Sequence, residues 1–230
     1  TARSGNILAI VVLNRPDTDA DRTCNDAIRQ HLETQEPPAD PGTLPNVKVL
    51  SARVEVLLVD TEKQRGPLPH REGVGLARKI GCDLALSWIA AGVIDSQWIH
   101  VSDADASLPP DYFDAVQKLA ASTAAACYPF LHGARENRQG GCEAIEAATA
   151  LYELRLHHYV LGLRYAGSPY AFHTLGSCLA LRPEAYAQVR GFPKRAAAED
   201  FYLLNKIAKT GAIANARAHC IILQARTSSR

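Results

Sequence analysis

Three apolar runs rich in β-branched residues constrain the fold more than any other feature of the 230-residue sequence. The runs are NILAIVVL at residues 6–13, VEVLLV at residues 54–59 and WIHV at residues 98–101. Near-continuous apolar runs of this length are typical of strands buried on both faces, as in a parallel sheet. Helical patterns follow the first two runs, over residues 20–34 and 73–94. The order strand, helix, strand, helix, strand predicts right-handed crossovers and an open sheet.

The second half of the chain continues the alternation less regularly. Its predicted elements are a helix opened by Pro109-Pro110, a strand over residues 123–130, helices over 142–163, from Pro183 and over 199–209, and a last strand over 219–223. We therefore predict an α/β, Rossmann-like fold with a mixed, mostly parallel sheet flanked by helices. A single domain over residues 1–230 is expected, with one half over about 1–106 and the other over about 107–230.

The charge balance limits the class of partner. Twenty-five Lys and Arg against 24 Asp and Glu give a formal charge of +1, so no global field attracts nucleic acid, and no nucleic-acid partner is expected. No stretch approaches the roughly 20 apolar residues of a membrane span, and the N-terminus lacks a signal-peptide pattern. Six singly spaced cysteines favour reduced thiols. These features together predict a cytoplasmic protein.

Polar residues follow each of the three apolar runs, namely Asn14, Asp60 and Asp103. In open α/β sheets, ligands bind beyond the carboxyl ends of the strands. We therefore expect these three side chains to lie close together at one ligand-binding edge.

The most informative segment is the acidic turn after the third run, Asp103-Ala104-Asp105. Two carboxylates separated by one small residue can both reach one hard divalent cation, which keeps positions for phosphate oxygens. A solvated turn is the alternative without function. An EF-hand loop fails because its sixth position needs Gly and holds Leu108. A haloacid-dehalogenase-like phosphatase remains a minor alternative, since its motif belongs on the first strand.

A second acidic pair, Glu199-Asp200, stands at a predicted helix start. Carboxylates at this position are favoured by the helix dipole, so helix capping alone explains the pair. A catalytic role requires an exposing loop ahead of it, and residues 191–195 (GFPKR) form such a loop.

These motifs together resemble the glycosyltransferase family two enzymes, which depend on nucleotide sugars and have the GT-A fold. The resemblance extends from residue 7 to about residue 211, and its specificity lies in the order of several motifs. These are Asp60 at a strand end, G-x-x-x-A-R from Gly73 to Arg78, SDADASLPPDYF, R-P-E-A-Y, a G-F-P loop and E-D before a helix.

The resemblance implies that the half over about 1–106 binds the nucleotide and that the half over about 107–230 is the acceptor and catalytic half. It also implies a role for each polar residue. Asp60 would accept hydrogen bonds from the base of the nucleotide, Asn14 would line the same pocket, and Arg78 could approach the diphosphate. Asp103 and Asp105 would hold Mg²⁺ or Mn²⁺ against the diphosphate.

A carboxylate of the second pair would be the general base, with Asp200 the first choice and Glu199 the second. One direct displacement predicts inversion at the anomeric carbon. His219, before the last strand, is a candidate third metal ligand; an exposed or hydrogen-bonded histidine is the alternative.

The sequence therefore predicts a metal-assisted glycosyltransferase with a nucleotide-sugar donor and an unidentified hydroxyl acceptor. A sugar-phosphate nucleotidyltransferase is the nearest enzymatic alternative, but it needs a Gly-rich loop after the first strand, where Asn14-Arg-Pro-Asp stands. A nucleotide- or sugar-binding module of the same fold, without turnover, is the alternative outside catalysis.

Overall fold

The computed structural model describes residues 7–35, 47–51, 53–133 and 143–225. The strands are β1 Ile7–Leu13, β2 Val47–Ser51, β3 Val54–Asp60, β4 Ile99–Val101, β5 Ala106–Ser107, β6 Thr123–Cys127, β7 Phe130–Gly133, β8 Leu179–Leu181, β9 Ala212–Asn215 and β10 Ile221–Gln224. The helices are α1 Asp26–Glu33, α2 Thr61–Arg65, α3 Gly73–Ala90, α4 Glu143–Tyr165, α5 Pro183–Gln188 and α6 Glu199–Ile207. Strands and helices alternate along the chain, which confirms the mixed α/β class.

The chain divides into two compact units. Unit 1 comprises residues 1–97 and 190–199, and unit 2 comprises residues 98–189 and 200–230, within the described ranges. The prediction of one domain over residues 1–230 stays a prediction.

Unit 1 is built on the sheet β1-β3-β2. β1 and β3 pair in parallel from Ile7 opposite Val54 to Leu13 opposite Asp60, and β2 pairs antiparallel with β3. Helix α3 packs against β1. Gly81 permits the close approach, because a Cβ at this position would lie 3.1 Å from the Val12 side chain.

Unit 2 contains, among its described strands, a four-stranded sheet β4-β8-β6-β9 and a three-stranded sheet β5-β10-β7. In the first sheet, β8 pairs antiparallel with both β4 and β6, and β9 pairs in parallel with β6. In the second, β10 lies between β5, antiparallel, and β7, parallel. Several side chains of β6 and β8 are fully buried, as are Tyr112 and Val116. They form a core around which the acidic turn is fixed.

The observed pairing is less parallel than predicted. Of the seven pairings among the described strands, β1–β3, β7–β10 and β6–β9 are parallel and four are antiparallel. The mostly parallel sheet is predicted from the first three apolar runs. β8 comes from the second half of the chain and pairs antiparallel with β4 and β6. In short, largely buried strands such as these, the sequence pattern does not indicate whether neighbouring strands pair in parallel or antiparallel.

The prediction of a helix beginning at Pro109-Pro110 is wrong. The segment forms hydrogen-bonded turns and one 3₁₀ turn, Asp114–Val116. Tyr112 donates its amide to the Pro109 carbonyl at 3.1 Å, and the Gln117 amide donates to Asp114 at 3.2 Å. Two prolines remove two amide donors, and burial of Tyr112 and Val116 fixes the short segment instead.

Candidate functional site

The ends of β1 and β3 bring Asn14 and Asp60 together within unit 1, because Leu13 lies opposite Asp60 in the parallel ladder. The Asn14 carbonyl accepts a hydrogen bond from the Asn25 side chain at 3.1 Å. Asp60 is buried and caps helix α2 by accepting the Lys63 amide at 3.0 Å. This part of the predicted strand-end cluster is therefore present. Asp103 belongs to unit 2, and its closeness to Asp60 stays a prediction.

A buried ion-pair network surrounds Asp60. The Arg29 guanidinium donates to Asp60 at 2.6 Å and to Glu62 at 3.4 Å, and Arg15 donates to Glu62 at 2.7 Å. Burial acts to raise the pKa of Asp60, but the hydrogen bonds from Arg29 and Lys63 bring that pKa below its usual range. The hydrogen bond from Arg15 lowers the pKa of Glu62. Both carboxylates are therefore held ionised as acceptors at the strand ends.

The acidic turn lies in unit 2, between β4 and β5. Asp103 and Asp105 are half-buried, and Ala104 between them is exposed. The turn is closed by the Ala106 amide, which donates to the Asp103 carbonyl at 3.1 Å. β4 on one side is buried against β8, and β5 on the other side pairs with β10. Two paired strands therefore fix both ends of this turn.

The structure brings His219 to Asp111 rather than to the acidic turn. The His219 ring Nδ1 lies 3.0 Å from an Asp111 carboxylate oxygen, and its backbone amide donates to the same oxygen at 3.1 Å. Burial acts to raise the pKa of Asp111, but these His219 hydrogen bonds lower it overall. Ala106 lies opposite Leu223, so Gln224, five residues beyond His219, comes level with Asp105.

Glu199 is buried and forms an ion pair with Arg78. Arg78 lies on helix α3, and Glu199 is the first residue of α6. That Arg78 approaches a diphosphate stays a prediction, and in the structure its guanidinium pairs with this carboxylate. A carboxylate that accepts hydrogen bonds from a guanidinium is stabilised in its charged form, which makes it a poorer proton acceptor.

Asp200 differs from Glu199 in its environment. Its side chain is half-buried, and one carboxylate oxygen accepts the Phe201 amide at 2.7 Å. It stands in the first turn of α6, where amides without helical partners favour a negative charge. The two neighbouring carboxylates are thus distinguished by burial.

The loop over residues 190–198, which precedes the acidic pair, is docked on helix α3 within unit 1. The Gly75 amide donates to the Arg195 carbonyl at 3.0 Å, and Lys79 Nζ donates to the Arg190 carbonyl at 3.1 Å. A Cβ at Gly75 would lie 2.5 Å from the Pro193 carbonyl oxygen. Ala198, immediately before Glu199, has a left-handed φ of 58°. The backbone before the acidic pair is therefore held by direct main-chain contacts.

The candidate metal ligands number two at the acidic turn. Within the described ranges, no group of three or more His, Cys, Asp or Glu side chains is arranged to hold a metal ion. Mg²⁺ is commonly bound by one or two carboxylates together with substrate phosphates and water. The donor set Asp103 and Asp105 fits a cation of this kind.

Sequence reasoning missed the basic partners Arg15 and Arg29. Arg29 is buried on α1, three residues before buried Leu32. The available signal was a charged residue three positions before an apolar residue, which places both on the same inward face of the helix. Arg15 had no comparable signal, because its partner Glu62 is 47 residues away.

None of the helices in the described ranges is both long enough and apolar enough to cross a membrane. No protein-family model and no curated protein sequence matches the chain. Among solved structures, the chain is similar to a mannosyltransferase from Pyrobaculum calidifontis in complex with GDP-Man and Mn²⁺, at 17% identity and a TM-score of 0.44. The similarity covers 97% of this chain and 57% of the other. The chain thus spans a little over half the length of that protein.

Proposed function

We propose that the chain is the catalytic part of a metal-assisted glycosyltransferase that moves a sugar from a nucleotide-diphosphate sugar to a hydroxyl acceptor. The observation that carries the proposal is the acidic turn. Asp103 and Asp105 leave a buried strand, β4, and are followed at once by the paired strand β5. A turn held at both ends keeps two carboxylates near one another without a folding cost at the time of binding.

Asp103 and Asp105 are the residues that would hold Mg²⁺ or Mn²⁺. When bound, the metal supplies positive charge to a diphosphate leaving group. The chain itself has a formal charge of only +1, so a recruited cation supplies what the overall composition does not. The half-buried position of both side chains strengthens this attraction relative to a fully hydrated turn.

Asp200 is our proposed general base. Its carboxylate accepts the proton of the acceptor hydroxyl while that oxygen forms a bond to the anomeric carbon and the bond to the diphosphate breaks. One displacement of this kind inverts the anomeric centre. Glu199 is assigned a structural role instead, because it is buried and paired with Arg78.

Asn14 and Asp60 are proposed to contact the base of the donor. Arg29 and the Lys63 amide keep Asp60 ionised, and an ionised carboxylate accepts hydrogen bonds from ring N–H and amino groups. His219 is left out of the proposed metal site because its hydrogen bonds go to Asp111.

The proposal is tested by thermal unfolding with UDP, GDP, TDP and CDP, each with and without Mn²⁺. One nucleotide at about 100 times its Kd should stabilise the protein by about 2.7 kcal/mol. That raises the Tm by roughly 5–10 °C for a chain of this size. Asp105→Asn should remove the Mn²⁺-dependent part of the shift. Asp95→Asn, an exposed carboxylate outside the turn, is the matched control and should keep it.

Two results would contradict the donor site. One is the absence of stabilisation by any of the four nucleotides; the other is a shift that Asp105→Asn leaves unchanged. Nucleotide binding without transfer to any hydroxyl acceptor would support the binding-module alternative.

A further inference from the structure

Helix α4, Glu143–Tyr165, carries large apolar side chains on its outward face. Six of them expose between 51% and 96% of their surface, namely Leu151, Tyr152, Leu154, Tyr159, Leu161 and Tyr165. The inward face is a different set, with Val160 buried and the others half-buried, namely Ile145, Thr149, Glu153, Leu156 and Leu163. A helix that is apolar on both faces is typically covered on both. The outward face therefore has a partner to be identified.

The outward face is wide. At 3.6 residues per turn, the side chains of residues 144–165 that point away from the inward set span an arc of roughly 200°. Apart from tyrosine hydroxyls, the polar side chains in this arc are Arg155 and His158. A single partner helix covers a narrow seam of two positions in seven. A surface of this width and of about 35 Å length suits a broad apolar layer better.

Charge separates the remaining occupants. Arg155 lies inside the arc. Glu146 and Arg164, five helical turns apart, lie together just beyond its edge, and Glu153 lies on the inward face. Glu153 accepts hydrogen bonds from the backbone and ring of His132 at 2.6 and 2.9 Å. A second copy of the chain in a two-fold pair would present the same arc. It would therefore offer Arg155 no carboxylate from α4, so the partner needs apolar depth together with negative charge.

We propose that the outward face of α4 binds the surface of an anionic phospholipid membrane, with the helix axis parallel to the bilayer plane. Leu151, Leu154 and Leu161 enter the boundary between headgroups and acyl chains. Tyr152 and Tyr159, seven residues apart, form one edge of the arc, where an apolar ring with a polar hydroxyl suits the headgroup level. Arg155 pairs with lipid phosphates. The inference is independent of the proposed sugar transfer.

The test is co-sedimentation of the whole chain with vesicles of phosphatidylcholine containing phosphatidylglycerol, compared with vesicles of phosphatidylcholine alone. The unchanged chain should bind the anionic vesicles. Leu154→Glu with Leu161→Glu should weaken this binding by about tenfold or more. Arg155→Gln should reduce the preference for anionic vesicles by about fivefold. Leu50→Glu, at an equally apolar but separate exposed position on β2, is the matched control and should bind like the unchanged chain.

Because Leu154, Leu161 and Leu50 are all exposed, their glutamate variants should keep the Tm of the unchanged chain. Tyr165→Trp provides a second measurement, since brominated lipid should quench its fluorescence more than that of the unchanged chain, whose tryptophans are Trp88 and Trp98. No binding of the unchanged chain to anionic vesicles overturns the proposal. Equal binding by the double leucine variant also overturns it. A dimer that the leucine variant dissociates, without vesicle binding, overturns it in favour of self-association.

Discussion

Glu199 and Asp200 are adjacent in sequence but differ in what their carboxylates contact. Glu199 forms a buried ion pair with Arg78, and Asp200 is half-buried in the first turn of α6. Removing one member of a buried ion pair leaves the other charge without compensation. Substitution of Glu199 should therefore mainly affect stability, and substitution of Asp200 should mainly affect catalysis.

We predict opposite effects for their amide variants. Glu199→Gln should lower the free energy of unfolding by about 3 kcal/mol, measured by urea denaturation, whereas exposed Glu184→Gln should change it by less than about 0.5 kcal/mol. Asp200→Asn should retain nucleotide binding and lose at least about 10²-fold in sugar transfer. Transfer by Asp200→Asn at the original rate would refute the general-base assignment.

His100 on β4 is a half-buried, neutral histidine. Its ring packs on Tyr112 and Phe113, and Nδ1 lies 3.2 Å from the Tyr128 hydroxyl. Burial lowers the pKa of His100 from 6.5 to about 4. Below pH 6.5 the imidazole of His100 binds a proton in the unfolded chain but not in the folded chain. The stability that the neutral ring contributes is therefore fully present above this pH and is lost as the pH falls towards about 4.

The expected loss from His100 over this window is about 2–3 kcal/mol. It is measured by urea denaturation at several pH values. His173, whose pKa burial and neighbouring His157 lower to about 4, adds to the same slope. His100→Gln should flatten the dependence on pH, and exposed His31→Gln should leave it unchanged. A His100→Gln profile as steep as that of the unchanged chain would count against this explanation.

At the scale of elements, Gly75 determines how the loop over residues 190–198 meets helix α3. A Cβ would lie 2.5 Å from the Pro193 carbonyl oxygen and 2.6 Å from that of Arg195. Both obstacles are backbone atoms, so the loop itself has to move. Gly162 on α4 is the matched control, because nothing lies within 4 Å of the position of its Cβ.

We predict that Gly75→Ala destabilises the chain by about 1–3 kcal/mol, while Gly162→Ala stabilises it by about 0.5–1 kcal/mol. Denaturant midpoints measure both. Gly75→Ala should also reduce transfer, since only Glu199 separates Asp200 from this loop. A Gly75→Ala protein as stable and as active as the unchanged chain would show that the loop adapts without cost.

The elements that were predictable from sequence are those with a strong pattern. β1 was expected from residue 6 and begins at Ile7, and α3 was expected from Gly73 and begins there. β2, β9 and the 3₁₀ turn escaped notice because short or weakly apolar segments become structured through pairing and burial. The acidic turn was visible as a motif, whereas the partners of Asp60, Glu199 and His219 were not. The contacts with Arg29, Arg78 and Asp111 join residues at least 31 positions apart.

At the scale of the whole molecule, the formal charge of +1 concealed a local organisation of charge. Arg15 and Arg29 hold Glu62 and Asp60 in unit 1, and in unit 2 Asp103 and Asp105 share one short turn. A net charge sums these features to nearly zero. The composition predicts no broad electrostatic attraction of nucleic acid, but it contains no information about where single ions or nucleotides are expected.

The position of β10 has a consequence for how the chain acquires its structure during synthesis. β10 joins β5 to β7, pairing Ile222 with Ser107 and with Leu131. β5 and β7 are synthesised before β10, so their edges remain without this central strand until it is made. At about 5–20 residues per second, the roughly 90 residues between β7 and β10 take on the order of 5–20 s to appear. The acidic turn thus gains its second anchor only after this interval of synthesis.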